Sequence, residues 1–210
     1  MKILTFLSIA QNTDPNNRTT THGKERILQY LDGLDKFFQY SKVGDFDVFI
    51  ADNTITKDNP LDIRIENIAH KNNAHVISCD KNEYGCRNKG AGIIEQWRYC
   101  KEYMLKYDWI IYFEPRQLLR HFDFLDSFFL NPRNLFNRIF NFFHTGLFAV
   151  ERKTLINFID VVSLDWMVNS STSIEYLLHD YFVDNNYKFH TIQDSGILWH
   201  DVCKNRWEAW

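Results

Sequence analysis

A glutamate and an arginine, Glu114 and Arg116, close the apolar run YDWIIYFEPRQLL at residues 107–119. Pro115 between them restricts Glu114 to an extended backbone. A guanidinium at the end of a buried strand could hold a diphosphate through forked, charge-assisted hydrogen bonds. The competing reading is a surface ion pair of small energetic value. Asp52 and Asn53 end a second apolar run, FDVFIADN (46–53). A carboxylate there could accept hydrogen bonds from a base or a ribose, or the pair could bond its own backbone in a turn.

The stretch NEYGCRNKGAG (82–92) sets Gly85, Gly90 and Gly92 beside Arg87, Asn88 and Lys89, just ahead of a helical pattern. Unpaired N–H groups at a helix start with positive charge nearby make a cradle for phosphate or sugar; a glycine-rich helix start with solvated charges has the same composition. The spacing is neither GxGxxG nor GxxxxGK[ST], which disfavours dinucleotide oxidoreductases and P-loop enzymes. Glu175 and His179 stand at i, i+4 on a predicted helix, where either could deprotonate a hydroxyl if burial shifts its pKa, or both could line a solvated face. His200, beside Asp201 in LWHD, could donate to a phosphate, ligate a metal or be structural, and His144 in FHTG is a weaker candidate of the same kind.

The elements that must position these residues alternate through the first half of the chain. Strands are predicted at 2–8, 46–53, 75–79 and 108–113. Helical spacing falls between them: Ile27, Leu31, Leu34 and Phe38; then Leu61, Ile65, Ile68 and Ala69; then Ile93, Trp97, Cys100 and Met104. A β-α-β-α-β-α-β order implies right-handed crossovers, a mostly parallel sheet with helices on both faces, and a ligand crevice at the carboxyl ends of the strands. Asp52, Asn53, Glu114 and Arg116 all fall at those ends. The second half predicts helices at 122–130, 152–162 and 173–186, one or two strands within 139–150, and a last strand at 188–192. In the helix at 173–186 the expected buried face is Ile174, Leu177, Leu178 and Tyr181.

The 210 residues are enough for one sizeable core, and one domain is expected, 1–116 forming a nucleotide-binding half and 117–210 an acceptor-binding half. With 24 basic against 27 acidic residues the net charge is −3, so no overall basic field points to nucleic acid. An anionic ligand must therefore be met by a local site. Four cysteines without a CxxC pair signal neither a zinc ribbon nor a disulfide framework. The start MKILTFLSIAQNTD reads as a first strand rather than a leader, and no run approaches a membrane span. The expectation is a cytoplasmic protein, with a membrane-peripheral association left open. The aromatic second half is expected to be mostly core, and it could also serve a homodimer.

Taken in order, these features resemble the GT-A class of nucleotide-sugar glycosyltransferases: a strand ending in ADN, the NKGAG helix start, a charged element after the fourth strand, HTGLFAV, the acid-bearing helix SIEYLLHDYF and a late WHD. The resemblance implies a three-layer α-β-α sandwich. It also implies a glycosyltransferase that moves a sugar from a nucleotide-sugar donor to the hydroxyl of a glycan or lipid-linked acceptor, as in surface-glycan or polysaccharide synthesis. By residue, it assigns Asp52 to the base or ribose, Asn53 and Glu114 to donor binding, Asn88 and Lys89 to the donor sugar or diphosphate, and Glu175 to the catalytic base. TGLFAV becomes part of the donor and acceptor floor, and His200 a ligand of the metal or diphosphate. Where metal-using members carry Asp-x-Asp, this chain has Glu114-Pro115-Arg116. A cation in that place disfavours Mg²⁺ or Mn²⁺ and could itself neutralise the leaving diphosphate, so metal-independent transfer with no cofactor is expected. Two alternatives remain: a non-catalytic sugar-nucleotide-binding or protein-interaction relative, and a sugar-phosphate nucleotidyltransferase.

Overall fold

The computed structural model describes residues 1–13, 21–201 and 206–209. Its alternating first half is β1 (Ile3–Ile9), α1 (Gly23–Phe37), β2 (Asp47–Asp52), α2 (Ile63–Lys71), β3 (His75–Ser78), α3 (Lys89–Tyr99), the short α4 (Lys101–Met104) and β4 (Trp109–Phe113). After it come β5 (Leu118–Leu119), α5 (Asp123–Leu130), β6 (Leu135–Ile139), β7 (Phe142–Glu151), α6 (Arg152–Val161), α7 (Leu164–Ser170), α8 (Ile174–Asp184), β8 (His190–Ile192), β9 (Ile197–Asp201) and β10 (Arg206–Ala209).

Seven strands form one sheet in the order β3-β2-β1-β4-β7-β6-β8, with only β7 running against the others. The mostly parallel three-layer sandwich expected from the sequence is thus observed. A smaller sheet, β10-β9-β5, sits beside it. Period-two alternation divides the apolar side chains between two faces. Leu4, Phe6, Phe49, Ile110 and Tyr112 pack under α3, α6, α7 and α8, whereas Leu7, Val48, Ile50, Ile111 and Phe113 pack under α1, α2 and α5. Buried on both faces, the central strands read as continuous apolar runs.

Several expected details are corrected. Leu61 is buried but precedes α2 rather than joining its face, because Asp62 is the N-cap and accepts from the Arg64 amide. On α3 the core-facing residue is Ile94; Ile93 is only partly buried, and the helix gives way at Cys100 to a separate turn of helix. The buried stripe of α8 is Ile174, Leu178, His179 and Phe182, with Leu177 and Tyr181 at its margin. Strand β6, helix α7 and the β9–β10 hairpin have no counterpart in the sequence reading.

Candidate functional site

The carboxyl ends of β1, β2 and β4 open into a cleft of about 860 Å³, including its mouth. Its floor is a charge cluster. Arg116 donates from Nε to Glu114 Oε1 at 2.6 Å and from Nη2 to Oε2 at 3.3 Å, while Gln117 Nε2 donates to Oε2 at 3.0 Å. Lys89 Nζ lies 3.1 Å from Glu114 Oε1. Arg26, from the first turns of α1, lines the same cleft. Its guanidinium is steered by the carbonyls of Ala10 and Thr21 and the hydroxyl of Tyr30.

Three cations therefore surround one carboxylate. Burial alone would raise the Glu114 pKa, but the Arg116 and Lys89 charges outweigh it and hold the carboxyl well below its ordinary range. Lys89 shows the opposite strain. Its surroundings desolvate the ammonium and Arg116 repels it, so its pKa is lowered despite the nearby carboxylate. The side chain nevertheless keeps 55% of its surface open, so an anion entering the cleft meets it directly.

The backbone explains this placement. β4 delivers Glu114, whose amide donates to Gly146 O on β7 at 2.9 Å, and the chain then turns so that the Gln117 amide returns to Glu114 O. Helix α1 presses on this turn at Gly33, where a Cβ would come within 1.6 Å of Pro115 O. Lys89 is the first residue of α3, which Asn88 caps through Oδ1 to the Ala91 amide at 3.0 Å. Gly90 lets α3 close onto Ile174 at the start of α8, which carries Glu175 next to the cleft.

The expected site residues divide into two groups. Lys89, Glu114, Arg116 and Asn53 line the cleft. Asn53 Nδ2 is tied to Asn82 Oδ1 and Gly92 O. Asp52 does not line it: fully buried, it accepts from the Gln11 amide at 2.9 Å through one oxygen and from the Thr54 amide and hydroxyl through the other. Burial pushes its carboxyl upward against those bonds. This is the turn-bracing alternative for Asp52. Asn88 is likewise committed to structure, its Nδ2 donating to Met167 O and Thr172 O, each at 3.1 Å.

Glu175, partly exposed, accepts from Thr145 Oγ1 at 2.9 Å, and its charge reaches both Lys89 and His144. His144 Nδ1 accepts from the Gly146 amide at 3.3 Å, and desolvation lowers the imidazole pKa to about 4. His179 is separated from Glu175 by its burial in the core, against the Phe143 ring at 5.1 Å. His200 lies on β9, and its side chain is outside the described residues, as are those of Asp201 and Trp207.

Sequence reasoning missed Arg26, Tyr30 and Gln96. Gln96, buried on α3, donates to Ile9 O and Ala51 O and accepts from Ser8 Oγ, pinning the ends of β1 and β2 at the cleft. A basic residue just after the first strand and its loop was the available signal for Arg26. Among the described residues, no three His, Cys, Asp or Glu side chains converge to hold a metal ion.

Solved structures resemble this arrangement. A protein from Desulfovibrio desulfuricans assigned as a nucleotide-diphospho-sugar transferase superposes with a TM-score of 0.56 at 8% identity, over 91% of this chain and 80% of its own. The fold is that of the GT-A-like nucleotide-diphospho-sugar transferases. A nucleoside-diphosphate-sugar pyrophosphorylase from Vibrio cholerae superposes equally well, with a TM-score of 0.56 at 9% identity over 95% of both chains. No family model matches the sequence, and no curated protein sequence matches it. Two differently named transferase and pyrophosphorylase neighbours thus share this fold, and at these identities the likeness speaks for the fold alone.

Proposed function

We propose that the protein is a glycosyltransferase whose cleft binds the diphosphate of a nucleotide-sugar donor. The observation that carries this reading is the pair of cations on the cleft floor, Lys89 and Arg116, that share the carboxylate of Glu114. A dianionic diphosphate would neutralise their excess charge and relieve the desolvated Lys89 ammonium. Asn53 lies beside it for the donor, while Asp52, Asn88 and Gln96 hold the loops in place. In the inverting form, Glu175, oriented by Thr145, takes the proton of an acceptor hydroxyl as that oxygen attacks the anomeric carbon, and the diphosphate leaves toward Lys89 and Arg116.

The donor set does not fit a divalent metal. Both oxygens of Glu114 already face the cations Arg116 and Lys89 and the amide of Gln117, so a metal ion there would meet two positive charges before it met a ligand. We therefore read the transfer as metal-independent, with surface-glycan or polysaccharide synthesis as its setting.

A thermal-shift series of nucleoside diphosphates and sugar nucleotides, in EDTA and with Mn²⁺, tests the proposal. Stabilisation by one nucleotide family that is equal in EDTA, and lost in Lys89→Met, is the expected result. Lys89→Met is preferred to Arg116→Ala because it leaves the buried Glu114–Arg116 pair intact. Stabilisation that requires Mn²⁺ and survives Lys89→Met would refute it.

One observation favours a second reading. Arg26, following the first strand and its loop, lines the cleft, where a nucleotidyltransferase would set a basic group against a triphosphate. Pyrophosphate release from nucleoside triphosphate and sugar phosphate would establish that activity, whereas release of nucleoside diphosphate from a sugar nucleotide establishes glycosyl transfer or hydrolysis. A binder without turnover would give neither.

A further inference from the structure

Two aromatic rings belong to neither apolar core: Tyr176, which follows Glu175 on the first turn of α8, and Phe142, at the start of β7. Their centroids are 5.2 Å apart with planes at 49°, Tyr176 is 42% exposed, and Phe142 is only partly buried. The following ring, Phe143, is fully buried and stacks on Phe136 at 3.9 Å, so the strand passes from core to rim within one residue. His144, two positions after Phe142, is also partly exposed, and its Nδ1 accepts from the Gly146 amide.

Two aromatic rings thus stand on the elements that carry Thr145 and Glu175, the carboxylate whose charge reaches Lys89. That chemistry matches a sugar ring. The C–H faces of a pyranose are apolar and polarised positive, and they stack on the electron-rich face of an aromatic side chain. The equatorial rim of hydroxyls needs a hydrogen-bond acceptor, which Glu175 supplies. A phosphate-bearing headgroup would instead meet the Glu175 carboxylate at close range.

We propose that Phe142 and Tyr176 form a stacking platform for the acceptor, that the acceptor ends in a pyranose, and that the platform presents one of its hydroxyls to Glu175. This rests on the glycosyltransferase reading above. Saturation-transfer NMR tests it directly, with the methyl glycosides of glucose, galactose and mannose in one tube and UDP or GDP added as an internal reporter of the donor cleft. The expected result is face-selective saturation of the C–H protons of at least one methyl pyranoside. That signal should fall several-fold in both Phe142→Ala and Tyr176→Ala and persist in Tyr176→Phe, with the nucleotide signals unchanged throughout. No face-selective transfer to any of the glycosides, or transfer that survives both alanine variants, overturns the platform. Absence of nucleotide signals in the wild type counts against the donor reading alone, because the glycoside signals are read independently.

Discussion

At the scale of single residues, Glu114 holds two cations at the base of the cleft, and its removal should be more disruptive than removal of either cation. Glu114→Gln leaves Arg116, only 8% exposed, without its counter-charge. Uncompensated buried charges of this kind cost about 3–5 kcal/mol, and urea unfolding should show a loss of that order. The pH dependence has a defined sign. The folded-state pKa of Glu114 lies below the ordinary value near 4.3, so its contribution is complete above about pH 4.3 and disappears as pH falls through the lower folded value. The Gln variant should therefore have a flatter acid limb than the wild type. His144 gives a second readout. Burial lowers its pKa to about 4 from an ordinary value near 6.5, so its neutral form stabilises the fold above about pH 6.5 and that contribution is lost as pH falls toward 4. A ring-proton NMR titration should find its midpoint near 4, and a midpoint near 6.5 would show the imidazole to be solvated. Lys89, Glu114 and Arg116 were legible as cleft-lining residues because charge next to an apolar run or helical stripe marks a strand end or a helix margin. Tyr30 and Gln96 were not, because only the approach of α1 and α3 to the strand ends turns ordinary helix residues into cleft residues.

At the scale of elements, two close approaches set the geometry of the site. A Cβ on Gly33 would lie 1.6 Å from Pro115 O, so in Gly33→Ala either α1 or the Glu114–Gln117 turn must move. Forced repacking of this sort typically costs about 1–3 kcal/mol. The displaced turn should also weaken the nucleotide thermal shift, separating this variant from one that only lowers stability. Asn88 holds α3 twice, by capping its N-terminus and by tying it to α7 at Met167 and to Thr172 just after it. Asn88→Ala should cost about 1 kcal/mol for the cap and more for the two carbonyls left unpaired, whereas Asn88→Asp should recover the cap share alone. Equal losses in the two variants would show that the amide donor, not the cap, dominates. The βαβ order was readable because four strongly apolar runs alternate with helical stripes. β6 and α7 were not, since LFNRI mixes core and exposed residues in five positions and LDWMVNS is too short to establish a period. The one-residue shift from Ile93 to Ile94 has the same origin: in IIEQW either isoleucine continues a stripe, and the contact with the sheet decides between them.

At the scale of the whole molecule, the proposed donor and acceptor groups come from opposite ends of the chain yet share one sheet. β4 pairs antiparallel with β7 from Trp109↔Glu151 to Phe113↔Leu147, and the Glu114 amide extends that ladder to Gly146. Across this seam Tyr112 stacks on Phe148 at 5.0 Å, Trp97 meets Phe148 edge-on at 5.9 Å, and Phe148 continues the stack to Phe136. One apolar core therefore contains Leu4, Phe6, Trp97 and Tyr112 from the first half together with Phe136, Phe148, Phe158 and Phe182 from the second. A fragment of residues 1–116 would expose the β4 edge and lose α6, α7 and α8 from one face, leaving α3 to cover there a parallel sheet that needs both faces buried. The two halves should accordingly be functional labels rather than separable folding units. The expected outcome is that the 1–116 fragment shows no cooperative urea transition by far-UV circular dichroism, while the full chain unfolds in one step with coincident fluorescence and dichroism curves. A cooperative transition in the fragment, or two separated transitions in the full chain, would mean that the β4–β7 seam joins two independent cores. The cleft could then open along that seam instead of being fixed by it.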